Sequence, residues 1–310
     1  MRPGRKRKQA ALSLTLCVHG EMVPDNGEDS YLLEWQDARA IAAVFDGCGG
    51  AGARRYADYA GKTGAYMASR AVCGAVDSWF HGGDTSPEAL GHAVEQALVV
   101  CRAHAGASAG LRGNIGKAFP TTAAIIVAGA EGAEAAVQCF WAGDSRCYSL
   151  DADGLHQLTL DDTDEPDALR NLTGDGVLTN LIHADGAFTL HEARLRLTAP
   201  CLLFSATDGC FGYIRTPMMF EYLIVKTLIE AESPRRWQEA LGEELAACAG
   251  DDYSLCLLGC GYDSFAALQR AFRARAETLE ARYIAEGLDP EAAWARYRTE
   301  YERWLPAAQA

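Results

Sequence analysis

The chain lacks the common devices for holding soft metals, crossing membranes or gripping nucleic acid. No run of its 310 residues is both long and apolar enough to span a bilayer, so a helical anchor is excluded and a cytoplasmic location is expected. Its seven histidines include no HExxH pair and show no zinc-ligand spacing. Its eleven cysteines are an odd number without a CxxC pair. Several of them, Cys139, Cys201, Cys256 and Cys260, sit inside apolar runs, as small buried hydrophobes of a reducing compartment do. Ser205 lacks the GxSxG elbow of a serine hydrolase. Positive charge is also short, with 28 Lys and Arg against 42 Asp and Glu, a net charge of −14. Such a surface repels a polyanion and excludes generic nucleic-acid binding. The exception is a basic start, Arg2, Arg5, Lys6, Arg7 and Lys8, followed by the apolar run 10–18. That run alternates with Ser and Thr and is followed by no clean small-residue cleavage site, so it predicts a strand behind a basic tail (residues 1–9) and not a signal peptide.

What is present is ample core material, since 49% of the residues are hydrophobic. Short apolar runs predict strands over 10–19, 31–36, 39–45, 121–129, 135–142, 145–150, 155–159, 193–207 and 253–260. A Gly-rich turn at 47–52 opens an Ala-rich stretch to about Phe80, where Tyr56, Tyr59, Ala60, Thr63, Tyr66, Met67 and Ala71 lie near helical spacing. A second helix is expected over 87–104, behind Ser86 and Pro87, and two more within 216–249. Helices inserted between runs of strands indicate an α+β protein, not a doubly wound fold. The Asp-, Gly- and Asn-rich segment 160–192 reads as an irregular insertion near a site. From 262 to 310 charge density rises, and Gly287-Leu288-Asp289-Pro290 predicts the turn of a helical hairpin. Its second helix carries Trp294, Tyr297, Tyr301 and Trp304 along one face, either as core against the preceding domain (10–261) or as a surface for a partner or for self-association.

Acidic residues stand at the ends of the hydrophobic runs: Glu28-Asp29, Asp46-Gly47, Asp144, Asp208-Gly209 and Asp251-Asp252. A carboxylate at the exit of a buried strand is costly unless a cation or a hydrogen-bond network compensates it. Several gathered together make an oxygen-only site suited to Mg²⁺ or Mn²⁺. The segment Gly47-Cys48-Gly49-Gly50-Ala51-Gly52 formally satisfies GxGxxG, but Asp46 would oppose a pyrophosphate and no acid-ended strand follows about twenty residues on. Gly61-Lys62-Thr63 lacks the earlier glycine of a phosphate-binding loop, whose place is taken by Tyr56.

In order along the chain, Asn26-Gly27-Glu28-Asp29-Ser30, Val44-Phe45-Asp46-Gly47-Cys48-Gly49-Gly50, Thr121-Thr122-Ala123, Ala142-Gly143-Asp144-Ser145-Arg146-Cys147-Tyr148, Leu158-Thr159-Leu160-Asp161-Asp162, Ser205-Ala206-Thr207-Asp208-Gly209 and Asp251-Asp252-Tyr253-Ser254-Leu255 resemble the successive motifs of the metal-dependent, type 2C serine/threonine protein phosphatases. The resemblance covers roughly residues 10–260. It implies a central antiparallel β-sandwich flanked by helix pairs, four layers in all, with a two-metal site at one edge. It further implies that Asp46 bridges both metals, that the Gly47 carbonyl binds the second, and that Asp208 and Asp251 complete the first, with Asp252 replacing Asp251 if the register shifts by one. Asp46 and Asp208 are thereby the catalytic acids. Glu28 and Asp29 would hold metal-bound waters, and Asp144 with Asp208 would form a third, weaker site. The implied activity is hydrolysis of phosphoserine and phosphothreonine, in opposition to a kinase, by a water bridging two Mn²⁺ or Mg²⁺ ions.

Three positions depart from the family pattern. Pro24 stands where an Arg commonly grips the substrate phosphate, and proline supplies no such contact. The nearby substitutes are Arg146, Arg54 and Arg55. Cys48 stands where many members carry a His proposed as general acid, and Asp162 where His is usual. Retained metal acids favour an active enzyme. The missing arginine favours the alternative, a weak or inactive phosphatase-like module that binds or scaffolds.

Overall fold

A computed structural model of the chain describes residues 12–104, 118–165, 167–172 and 176–306. The basic tail expected over 1–9 lies outside the described residues. The elements run β1 (Leu12–Gly20), β2 (Ser30–Gln36), β3 (Arg39–Phe45), α1 (Gly49–Gly52), β4 (Arg55–Tyr56), β5 (Lys62–Thr63), α2 (Gly64–Phe80), α3 (Pro87–His104), β6 (Ala123–Glu131), β7 (Glu134–Ala142), β8 (Arg146–Leu150), β9 (Leu155–Gln157), α4 (Ala168–Asn171), β10 (His191–Thr198), β11 (Cys201–Ala206), α5 (Pro217–Glu230), α6 (Pro234–Cys248), β12 (Tyr253–Cys260), α7 (Phe265–Leu279) and α8 (Pro290–Tyr301). Two five-stranded antiparallel sheets, ordered β1-β12-β11-β8-β9 and β10-β7-β6-β3-β2, face each other.

Alternation along β3 shows how the layers form. Ala40, Ala42 and Val44 point into the sandwich, where they meet Ile126, Cys139, Cys147, Leu203, Cys256 and Leu258. Ile41, Ala43 and Phe45 point outward to α2 and α3, which cover that sheet with Val72, Val76, Phe80 and Leu90. The other sheet buries its outer face under α5, α6, α7 and α8. All eleven cysteines are free thiols, and those in the interior act as small apolar fillers. No described helix is long and apolar enough to cross a membrane.

Two expectations from local pattern fail. The helix expected from the Gly-rich turn begins only at Gly64, because 53–63 form a small hairpin, β4 paired with β5, and Thr63 caps α2 by accepting from the Tyr66 N–H. The stretch 193–207 is two strands in different sheets: the chain turns at Ala199-Pro200, and proline has no N–H to continue a ladder. The aromatic stripe faces inward, with Trp294, Tyr297 and Tyr301 buried beside Tyr148, Phe204 and Phe220, and the partly buried Trp304 against the sandwich interior.

Candidate metal centre

Strand register carries the acidic stations to one end of the sandwich. Phe45, the last residue of β3, pairs with Ser30 at the start of β2, so Asp46 and Asp29 leave adjacent strands side by side. Ala206, ending β11, pairs with Leu255 and with Arg146, which brings Asp208, Asp251 and Asp144 to the same end of the other sheet.

The turn bearing Asp46 is held by its backbone, leaving the carboxylate for other work. Its N–H donates to Thr122 Oγ1 (3.3 Å), and its carbonyl accepts from the Thr122 N–H (2.8 Å) and Thr121 Oγ1 (2.8 Å). The Cys48 thiol turns back on that carbonyl at 3.9 Å. Gly47 is required by close approach: a Cβ there would stand 2.7 Å from the carbonyl oxygens of Ala65 and Glu28. Asp208 follows the same logic, since a Cβ on Gly209 would stand 1.9 Å from the Asp252 carbonyl, so the two turns pack backbone to backbone.

Burial and mutual repulsion dominate the electrostatics. Burial, then the charges of Asp208, Asp29, Asp144 and Asp251, pushes Asp46 well above the ordinary carboxylate range. Burial and the charge of Asp208 push Asp144 up to about 8. Burial and the charge of Asp251 push Asp208 up to about 6. Asp29 rises to about 8, chiefly by burial, although its Oδ2 accepts from Thr207 Oγ1 (2.9 Å) and Ser254 Oγ (2.8 Å).

Asp251 and Asp252 divide their work. Asp252 accepts the N–H groups of Met22 (2.7 Å) and Glu28 (2.6 Å), which staples the 22–28 loop. Asp251 accepts only the N–H of Asp252 (2.8 Å) among the described residues, and its field falls on Asp46 and Asp208. Glu28 stands at the rim, where its Oε1 accepts from Thr63 Oγ1 and its Oε2 occupies the space that a Cβ on Gly49 would need.

Asp144 sits in a turn fixed by Asp162, the acid standing where His is usual, and through it by two residues that the sequence did not single out. Gly143 has φ +94°, and its N–H donates to Asp162 Oδ2 (2.9 Å). Asp162 is held in turn by Asn180 Nδ2 (2.6 Å) and His191 Nε2 (2.8 Å). Asp162 thus positions the Asp144 turn. No local signal joined 162 to 180 and 191, because the pairing arises from the irregular segment folding back. A cavity of about 420 Å³ opens beside Asp144 and Asp208, with Arg146, Asp161, Asn171 and Tyr213 in its wall.

Among the described residues no three His, Cys, Asp or Glu side chains are gathered tightly enough to hold an ion as they stand. The chemistry of the donors nonetheless fits a hard cation. Asp144 Oδ1 is buried with no hydrogen-bond partner, amid carboxylates that raise one another's affinity for protons. Divalent charge and oxygen coordination relieve both conditions.

Residues 25–246 match the sequence model of the family described as Protein phosphatase 2C. The chain belongs to that family. Comparison with curated proteins gives no match. Among solved structures, PppA, a key regulatory component of T6SS in Pseudomonas aeruginosa, is 21% identical, with a TM-score of 0.54 over 81% of this chain and 99% of its own. Serine/threonine phosphatase Stp1 from Staphylococcus aureus is 15% identical, with a TM-score of 0.59 over 83% of this chain and 98% of its own. The catalytic domain of PstP in complex with two manganese ions is 17% identical, with a TM-score of 0.52 over 81% of this chain and 99% of its own. At these identities the likeness carries the fold. Within the phosphatase 2C frame, Pro24 is exposed in the loop stapled by Asp252 and offers no guanidinium. Arg146, one candidate substitute, is buried and committed: its Nε and Nη2 donate to Asp161 (2.9 and 2.6 Å), and its guanidinium lies 4.2 Å from the centre of the Phe211 ring.

Proposed function

We propose that this chain is a Mn²⁺- or Mg²⁺-dependent serine/threonine phosphoprotein phosphatase that acts against a kinase in the cytoplasm. The observation that carries the reading is the unpartnered, buried Asp144 oxygen within a group of acids that repel one another, at the sandwich edge of a phosphatase 2C chain. Asp46 and the Gly47 carbonyl would hold two cations, Asp208 and Asp251 would complete the first, and Asp144 with Asp208 would hold a weaker third. When bound, the pair would supply Lewis-acid activation of water and neutralise charge developing at phosphorus.

The chain's own residues keep that centre in place. Thr121 and Thr122 fix the Asp46 backbone, and Thr207 and Ser254 orient Asp29. Glu28, anchored through Thr63, and Asp29 would accept hydrogen bonds from water at the centre. No side chain needs to carry the phosphoryl group.

Hydrolysis of p-nitrophenyl phosphate with and without Mn²⁺, in the natural chain and in Asp208→Asn, tests the reading. The expected result is metal-dependent turnover that falls by at least about a hundredfold in the variant, since several kcal/mol of charge stabilisation depend on that centre. Activity indifferent to Mn²⁺, or unchanged in Asp208→Asn, sinks it. The exposed Pro24 favours a second reading, a phosphatase-like binding module, which predicts Mn²⁺ binding without turnover.

A further inference from the structure

A phosphate ester is a dianion, and it must approach a rim lined by Glu28, Asp208 and Asp251 on a chain of net charge −14. A cation at the rim with donors to spare would attract and orient that dianion beyond what the metals do. The cations around the 22–28 loop are mostly committed. Arg70 donates to the carbonyls of Gly27 (2.9 Å) and Glu28 (3.4 Å) and lies 3.5 Å from the Tyr66 ring centre. Lys62 donates to the Asp25 carbonyl and to Asn26 Oδ1 (3.2 Å). Arg146 is buried and paired with Asp161.

The hairpin β4–β5, which interrupts the expected helix, carries two more. Tyr56 presents one face of β4, where the guanidinium of Arg54, the residue just before the strand, lies 5.1 Å from its ring centre. Arg55 is on the opposite face and pairs in register with Thr63, so their side chains share that face. Thr63 on this face reaches Glu28 Oε1. Arg55 is exposed and, among the described residues, spends one donor, on the Gly61 carbonyl (2.9 Å), out of the five a guanidinium holds.

We propose that Arg55, presented by the β4–β5 hairpin, is the contact for the substrate's phosphate, occupying from a different element the role that Pro24 cannot fill. The inference rests on the phosphatase reading above. It makes the hairpin a specificity element: phosphate recognition comes from the segment between the Asp46 turn and α2, and Arg55 reaches around Glu28 to the ester.

The test compares the full chain with Arg55→Ala, Arg55→Lys and, as a control, Arg54→Ala. Three measurements are made: KM and kcat for p-nitrophenyl phosphate with Mn²⁺, competitive inhibition by inorganic phosphate, and calorimetric titration of Mn²⁺. Loss of a charge-assisted bidentate contact predicts a rise of about tenfold or more in KM and in the phosphate inhibition constant for Arg55→Ala, with Mn²⁺ affinity unchanged. Arg55→Lys recovers part of the loss, and Arg54→Ala matches the natural chain. If the natural chain turns over with Mn²⁺ but Arg55→Ala leaves KM and phosphate inhibition unaltered, the inference falls and the phosphatase reading stands. Equal losses in Arg54→Ala and Arg55→Ala also overturn it, because they indicate a diffuse field and not a contact. A natural chain that binds Mn²⁺ without turnover overturns both.

Discussion

At the scale of single residues, the neighbouring acids Asp251 and Asp252 give a clean separation of roles. Asp252 uses both carboxylate oxygens on backbone N–H groups of the 22–28 loop, whereas Asp251 gives one oxygen to its neighbour and turns its charge toward Asp46 and Asp208. Asp251→Asn is therefore expected to weaken Mn²⁺ binding by about tenfold or more with little change in melting temperature. Asp252→Ala leaves two N–H groups without their acceptor and should cost about 1–3 kcal/mol in chemical denaturation. The reverse pattern, with Mn²⁺ affinity lost only in Asp252→Ala, would reassign the ligand. The pair also shows what was legible beforehand. Carboxylates at apolar-run exits announce themselves because desolvating them is expensive, so Asp46, Asp144, Asp208 and Asp251 were readable. Their fixing partners were not: Thr207, Ser254, Asn180 and His191 are ordinary polar residues until the fold brings them within hydrogen-bond distance.

At the scale of elements, the C-terminal hairpin is joined to α5 by a buried ionic knot. Arg275 on α7 donates to both oxygens of the fully buried Glu221 (2.6 Å each), and Tyr297 on α8 donates to the same carboxylate (2.5 Å). His156 Nδ1 lies 2.6 Å from the Glu300 carbonyl, and Tyr301 Oη lies within 3.4 Å of Arg146 Nη1, just behind the acid centre. Removing one member strands a buried charge, so Arg275→Ala should cost about 3–5 kcal/mol in urea or guanidinium unfolding. A chain ending at Gly261 should fail to fold, since it bares Tyr148, Phe204 and Phe220. A soluble, cooperatively melting truncated chain would show that α7 and α8 are an appendage. Elements with an unbroken period, such as β3, β12, α5 and α6, were readable from apolar spacing. The β4–β5 hairpin was hidden because Tyr56, Tyr59 and Thr63 mimic helical spacing, although Tyr56 and Thr63 lie on paired strands and Tyr59 in the turn between them. The β10–β11 break needed weight on a single proline.

At the scale of the whole molecule, the acid centre stores proton affinity that a cation would displace, and this gives stability a definite pH dependence. The carboxyls of Asp29 and Asp144 are raised from 3.8 to about 8 and that of Asp208 to about 6, in each case chiefly by burial. Between about pH 4 and pH 8 the folded chain therefore retains protons that the unfolded chain has released. The linkage slope is then negative: the stability from these raised groups is present at low pH and is lost as pH rises through 6 and then 8. The net charge of −14 adds self-repulsion of the same sign. After chelation with EDTA, the melting temperature is expected to be higher near pH 5 than near pH 8. Mn²⁺ exchanges for the retained protons, so the stabilisation it gives should grow over the same interval, with proton release detectable by calorimetry in buffers of different ionisation enthalpy. Asp29→Asn removes one raised carboxyl and should flatten the metal-free slope, which general charge repulsion alone would leave nearly unchanged. A metal-free melting temperature that climbs from pH 5 to pH 8 would mean that these acids are ionised and compensated within the protein, and the case for a cation at the sandwich edge would lose its electrostatic basis.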